Sequence, residues 1–248
     1  MEKRALITGA SDGIGNVFAK KLSQKGYTIT GVARNESKLK GLIQDIGQNH
    51  KYIVADLSSE AGQLKTVAEL NSAHYDLLVN NAGVGVVGAF TEASIDKQLA
   101  MMRLNCEAVV RLSHAYLTSA QSGDALINIS STIGFTPMPS IGLYCATKAF
   151  VTSFSESLWF EQKAKGVFVM DFCPGITSTN FQVNAGGRTE DLPKNMAQTP
   201  EMVVDNALKA LDSRKRPTEF SGMRNWMFAN MSRLMPRKMF VNMLGKIM

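Results

Sequence analysis

The chain has 248 residues, 45% of them hydrophobic and 19% charged, which suits one large α/β domain or two small ones around a buried core. Its three cysteines, Cys106, Cys145 and Cys173, are too few and too scattered for a disulfide framework or a Cys-x-x-Cys metal site. Five of the six net positive charges (Arg224, Arg233, Arg237, Lys238, Lys246) fall in the acid-free stretch 220–248, so the body is nearly neutral and a basic nucleic-acid-binding face is excluded.

At the N-terminus "MEKR" runs straight into "ALIT" with no signal-like apolar stretch, and no apolar run approaches the roughly 18 residues of a membrane span. The expectation is a soluble, cytoplasmic protein. The first strand, "RALIT" (4–8), ends in "TGASDGIG" and is followed by helical spacing over 14–25. Glycines between a first strand and a first helix permit a tight turn and bring backbone N–H groups and the helix N-terminus to a pyrophosphate. The spacing here is G-x-x-x-G-x-G (Gly9, Gly13, Gly15), and Asp12 sets a negative charge near the expected phosphate.

The second strand, "TITGVA" (28–33), precedes a helix over 36–46. An NAD site usually carries an acid at the end of this strand to grip the ribose; here Ala33 stands there and Arg34 follows. A guanidinium binds a 2′-phosphate bidentately where an acid would repel it, so the cofactor expected is NADP(H). Further strands are read at 51–55, 75–79, 125–130 and 167–173, with helices over 59–73, 96–119 and 145–164. Apolar strands alternating with helices predict a single-domain α/β fold, a doubly wound parallel sheet with helices on both faces. The catalytic domain is placed at 1–220, with a substrate loop near 180–202 containing Gly186 and Gly187, and residues 221–248 as a C-terminal helical extension.

Taken in order, "TGASDGIG" (8–15), "DL" (56–57), "NNAG" (80–83), Asn105, Ser131, "YCATK" (144–148) and "PGITST" (174–179) resemble the short-chain dehydrogenase/reductase family, in its NADP(H)-preferring branch, up to about residue 220. The resemblance implies a Rossmann-type fold that binds NADP(H). Gly9, Ser11, Asp12, Gly13, Ile14 and Gly15 would lie around the phosphates and Arg34 at the 2′-phosphate. Asp56, with Leu57, would accept from the adenine amine. Asn81, Ala82 and Gly83 would let the cofactor lie close to the sheet, as would Asn80. Pro174, Gly175, Ile176 and Thr179 would meet the nicotinamide.

Tyr144 and Lys148 are four residues apart near the start of a helix and share a face. A free phenol has a pKa near 10, and a nearby ammonium pulls it down. The resemblance implies Tyr144 as the acid/base at the carbonyl oxygen and Lys148 as its tuner and cofactor anchor at the nicotinamide ribose. Ser131 would hydrogen-bond the same oxygen, and Asn105 would hold a water in a proton relay. Ala108 stands where the family often has glycine. No base accompanies Cys145 or Cys173, and His50, His74 and His114 show no metal spacing, so neither thiol catalysis nor a metal is expected.

Methionines recur at 223, 227, 231, 235, 239 and 243, and Pro236 divides the stretch into two short helices. Trp226, Met231 and Leu234 belong to the apolar face of the first, and Phe240, Met243, Leu244 and Ile247 to that of the second. One reading packs them on the body, over the cleft or at a subunit interface. The other has 223–248 meeting a membrane surface or a lipid-like substrate. The function expected is NADP(H)-dependent interconversion of an apolar carbonyl and a secondary alcohol. A homodimer or homotetramer through 96–119 and 145–164 is expected by analogy. The alternatives are an NADP(H)-binding redox sensor with little turnover and a membrane-surface scaffold.

Overall fold

The computed structural model describes residues 3–47, 49–187, 197–231 and 235–246. The expected alternation is realised as β1 (Lys3–Thr8), α1 (Gly13–Gln24), β2 (Tyr27–Ala33), α2 (Glu36–Ile46), β3 (Lys51–Val54), α3 (Glu60–Ser72) and β4 (Leu77–Asn80). Then come α4 (Ile95–Met102), α5 (Ala108–Ser119), β5 (Ala125–Ile129), α6 (Gly142–Gln162) and β6 (Phe168–Cys173). The short α7 (Phe181–Asn184), α8 (Pro200–Ser213), β7 (Thr218–Phe220), α9 (Met223–Met231) and α10 (Arg237–Gly245) complete it. The helix starts follow local chemistry. Asp12, Asn35, Ser59, Ser94 and Thr199 cap α1, α2, α3, α4 and α8 with a side-chain oxygen, and Pro200 opens α8.

The strands form one parallel sheet in the order β3-β2-β1-β4-β5-β6-β7. The order reverses between β1 and β4, and in such sheets the crevice at that switch point, at the carboxyl ends of the strands, receives ligands. Side-chain alternation sorts the core into two layers. Ala5, Ile7, Leu77, Val79, Ile127 and Met170 pack against Phe18 and Leu22 of α1, Leu39 of α2 and Val203 and Leu208 of α8. Leu6, Leu78, Leu126 and Val169 face Leu70 of α3 and Leu112 and Tyr116 of α5 on the other side. Fully burying a side chain such as Phe18 or Leu78 contributes about 1.5–3 kcal/mol.

Three features depart from the sequence reading. The helix expected over 96–119 is broken by a π-helical turn, Arg103–Glu107, between α4 and α5. The helix expected over 145–164 runs from Gly142 to Gln162, so Tyr144 lies within its first turn. A seventh strand, β7, pairs with β6 (Asp171↔Thr218, Phe172↔Glu219, Cys173↔Phe220); three half-buried residues at a sheet edge carry no period that sequence could reveal.

The C-terminal helices bury only part of the apolar faces read from the sequence. On α9, Ala229 is buried while Met223, Trp226 and Met227 are exposed; on α10, Phe240 and Leu244 are buried as expected. Met231 and Met243 are half-buried. Leu234, Ile247 and residues 188–196 of the substrate loop lie outside the described residues. Among the described residues, no helix is long and apolar enough to cross a membrane.

Candidate active site

The glycine loop is shaped by close approach. Gly9 has φ +69°, and a Cβ on it would come within 2.7 Å of the Asn81 amide nitrogen. A Cβ on Gly15 would sit 2.3 Å from the Gly9 carbonyl oxygen. Neither position admits a side chain, so the backbone of this turn stays bare where an anion could approach the start of α1, while the Gly9 and Ala10 N–H groups donate to the Val32 carbonyl. The "NNAG" stretch braces the loop. Asn81 Nδ2 donates to the Thr8 carbonyl at 2.8 Å, and the N–H groups of Asn81 and Ala82 both donate to the Thr8 hydroxyl at 2.9 Å. Asn80 turns the other way, into the core, where its amide donates to Asn128 and Ser113.

Asp12 accepts from the Gly13 N–H at 2.7 Å, from Lys38 Nζ at 2.6 Å and from Asn180 Nδ2 at 3.0 Å. Lys38, then Asn180, hold its carboxyl below the usual carboxylate range. The negative charge that stood out in the loop is therefore matched by a cation. Ser11 and Gly13 line an open cavity of about 850 Å³ with Asp12, Lys38, Thr179 and Asn180. Thr179 Cγ2 would lie 3.1 Å from a Cβ on Gly13, so the segment after β6 closes onto the loop. Ile14 packs against the first core layer.

Arg34 is exposed at the end of β2. It lies near enough to Asp56, after β3, to act on that carboxyl. Burial pushes the Asp56 carboxyl up, and the two Ser58 hydrogen bonds with the Arg34 charge more than offset this, leaving it below its ordinary value. Leu57 is a core side chain, and its carbonyl accepts from Gln63. Ala33 is buried, so no acid stands beside Arg34 on β2. Glycines whose missing Cβ atoms leave a cradle at the start of α1, an exposed arginine after β2 and an acid at the next strand end fit a phosphorylated dinucleotide.

Lys148 is 5% exposed and its ammonium donates to the Ile129 carbonyl at 2.8 Å. One turn earlier, the half-buried Tyr144 ring lies with its centroid 5.8 Å from that ammonium. The sequence reading had the lysine pulling the phenol down. In the structure burial dominates, raising the Tyr144 phenol above its ordinary range and pushing Lys148 down to about 8.

Asn105 lies in the π-helical turn, a distortion often found at functional sites. Its amide is engaged on both sides: Oδ1 accepts from the Val84 N–H at 3.0 Å, while Nδ2 donates to the Val84 carbonyl at 2.9 Å and to Thr147 Oγ1 at 3.1 Å. Thr147 in turn donates to the Tyr144 carbonyl. Asn105 thus ties the segment after "NNAG" to the helix that carries the tyrosine. A Cβ on Gly83 would sit 3.3 Å from Asn105 Oδ1 and 3.5 Å from Lys148 Nζ, so Gly83 is brought to the same point. Ala108 opens α5 just past the turn and is buried.

Ser131 caps the short turn Thr132–Phe135, with its Oγ 3.5 Å from the Pro174 carbonyl. The ends of β5 and β6 therefore meet at the mouth of the site. Gly175 lies beneath α9, where a Cβ would come within 2.2 Å of Asn225 Oδ1. The Ile176 carbonyl accepts from the Gln198 N–H, and Thr179 Oγ1 accepts from the Phe181 N–H. The Phe181 ring stands 5.4 Å from that of Tyr144, giving the site an apolar wall.

A family model described as short chain dehydrogenase matches residues 3–189. The chain belongs to the short-chain dehydrogenase family. Bovine very-long-chain 3-oxoacyl-CoA reductase is 31% identical over 86% of this dehydrogenase chain and 69% of its own length. Human inactive hydroxysteroid dehydrogenase-like protein 1 is 30% identical over 87% of this chain and 68% of its own. A solved short-chain dehydrogenase from Sphingobium yanoikuyae, in complex with NADPH, superposes with a TM-score of 0.84 at 28% identity, covering 94% of each chain.

Several groups of this dehydrogenase escaped the sequence reading. Lys38, Thr147, Phe181 and Asn225 reach the site through tertiary contacts that no local spacing signals. His74, expected to be isolated, meets Asp76 and Asp124 at the amino-terminal end of the sheet, with ligand atoms within 4.8 Å of one another. Asp76 and Asp124 there accept from the Arg4 and Gln121 N–H groups.

Proposed function

We propose that this chain is an NADP(H)-dependent reductase of apolar ketones or acyl-type carbonyls, working in reverse as a secondary-alcohol dehydrogenase. The observation that carries the reading is the half-buried Tyr144, one turn before a buried Lys148 anchored to the Ile129 carbonyl. The loop Gly9–Gly15 would hold the pyrophosphate, Arg34 the 2′-phosphate, Asp56 the adenine, and Lys148 with Pro174–Thr179 the nicotinamide end. When bound, NADPH supplies a hydride to the carbonyl carbon.

The protein's own part is the proton. Burial keeps Tyr144 protonated at neutral pH, the form that donates to a carbonyl oxygen gaining charge. The Lys148 ammonium stabilises the phenolate left behind, and Ser131 donates a hydrogen bond to the same oxygen. Asn105, through Thr147, holds the turn of α6 that carries Tyr144 and sets Lys148 against Gly83. The Phe181 wall and the kinship to a very-long-chain 3-oxoacyl-CoA reductase support an apolar substrate. The NADPH complex of the solved relative supports the cofactor. Exposed Leu99, Met102, Val110, Phe150 and Phe160 on α4, α5 and α6 support a homo-oligomer, and the setting proposed is cytoplasmic.

The test is NADPH consumption with ketones and 3-oxoacyl thioesters of graded chain length, run beside Tyr144→Phe. Turnover rising with chain length and falling by about two orders of magnitude or more in the variant is expected. Equal turnover in the variant would remove Tyr144 as the acid. A second reading, an NADP(H)-binding sensor with little turnover, is favoured by the relative named inactive. Tight NADPH binding with no turnover on any substrate would select it.

A further inference from the structure

The second core layer becomes polar at the carboxyl ends of its strands. Following the alternation that buries Leu78, Leu126 and Val169, the same face presents Asn80, Asn128, Ser130, Asp171 and Cys173, all buried. Above them α6 contributes Lys148, Thr152 and Ser155. Among the described Asp, Glu, Lys and Arg residues, those that are buried are Asp124, Lys148 and Asp171. Asp124 belongs to the opposite end of the sheet with His74 and Asp76. Lys148 and Asp171 share this polar end.

Asp171 is 0% exposed on β6, in register with Asn128 of β5 and Thr218 of β7. The Cys173 thiol donates to its Oδ2 at 3.1 Å, and its Oδ1 has no hydrogen-bond partner among the described residues. The Thr152 hydroxyl also acts on the carboxyl. Thr152 in turn lies 2.8 Å from Ser130 Oγ, which donates to the Lys148 carbonyl at 2.9 Å. A continuous buried path therefore joins the carboxyl of β6 to the residue that carries the ammonium.

We propose that Asp171 is a positioning residue for Lys148, a buried counter-charge that keeps the lysine charged and aligned behind Tyr144. The proposal rests on the role given to Lys148 above. An isolated buried charge is costly and survives when a partner offsets its desolvation. Burial pushes Lys148 down to about 8 while the Asp171 charge opposes this; burial likewise pushes Asp171 up to about 7 while Lys148 opposes that. The other titratable groups that face the pair among the described residues include Tyr144, with its ring 5.8 Å from the ammonium, Cys106 of the π-helical turn and Cys173, which act on the lysine, and Glu156 of α6, which repels the carboxylate. The hydroxyl path also has a polarity. An ionised Asp171 draws the Thr152 proton toward itself, whereas a protonated one leaves Thr152 and Ser130 donating toward the Lys148 carbonyl.

The experiment titrates Lys148 by NMR of ¹³Cε-labelled lysine in the full-length wild type and in Asp171→Asn, with the signal assigned through Lys148→Met. Asp171→Asn should move the Lys148 titration to lower pH by roughly one unit or more, and the alkaline limb of turnover with it. A folded Asp171→Asn with the wild-type lysine titration overturns the proposal, even where its melting temperature falls. Should that variant not fold, Thr152→Val decides. It removes a donor from the carboxyl and should move the titration in the same direction by less, while an unmoved titration overturns the idea. The titration needs no turnover, so failure of Tyr144 as the acid leaves this outcome readable.

Discussion

Lys38 Nζ lies 2.6 Å from Asp12 Oδ2, an ion pair that joins α2 to the glycine turn before α1. Both side chains are about half exposed, so the pair adds little to folding stability. If the turn holds the cofactor phosphates as proposed, the pair acts on binding, because an unpaired Asp12 would repel them. Lys38→Met is expected to weaken NADPH binding several-fold, measured by fluorescence titration, and Asp12→Asn in the same chain should recover most of the loss. No change in the single variant would show that Asp12 is neutralised by other means.

Arg34 stands at the end of β2 with Ala33, not an acid, before it. Arg34→Ala should reduce NADPH affinity about 10–100-fold, the value of hydrogen bonds to a charged group, and leave NADH affinity nearly unchanged. Equal losses for both cofactors would place Arg34 away from the 2′-phosphate.

Lys148 is depressed from 10.5 to about 8, and the sign has two consequences. Turnover should fall as pH rises through about 8, because the ammonium that steadies the phenolate is lost. Stability moves the other way. Between about 8 and 10.5 the unfolded chain holds the lysine proton and the folded chain does not, so this group's contribution rises with pH. The melting-temperature difference between wild type and Lys148→Met should therefore move in favour of wild type from pH 7.5 to pH 10. A constant gap would show that burial does not perturb the lysine.

Gly175 meets Asn225, whose amide is held by the Ser221 carbonyl at 2.6 Å and Gln198 Oε1 at 3.2 Å. With the amide so held, the Cβ of Gly175→Ala forces α9 to shift, at about 1–2 kcal/mol, or a few degrees in Tm for a chain of this size. Asn225→Ala introduced alongside it should restore most of that, since the two sites are in contact and couple. Additive losses would place the strain elsewhere.

Much of the fold was legible because strand and helix periods are local. "RALIT", "TITGVA" and "VFVMDFC" become β1, β2 and β6, and the glycine turn leads into α1 as its spacing implies. The ordered motifs identified the family that the comparison shows. The break at Arg103–Glu107 was not legible, since Asn105 bonds Val84 and Thr147, both distant in sequence. Asp171 was hidden for a related reason: a single acid in "VFVMDFC" does not disturb an apolar strand pattern, yet alternation turns it toward Thr152 and Lys148.

Residue type and spacing determined which side chains this protein owns and which neighbours share a helix face, because both depend on backbone geometry repeated every few residues. The folded chain decided how far their proton affinities are displaced. The phenol lies above its usual range and the lysine below it because desolvation acts through three-dimensional burial, which Tyr144 and Lys148 acquire when α6 closes over the carboxyl ends of β5 and β6.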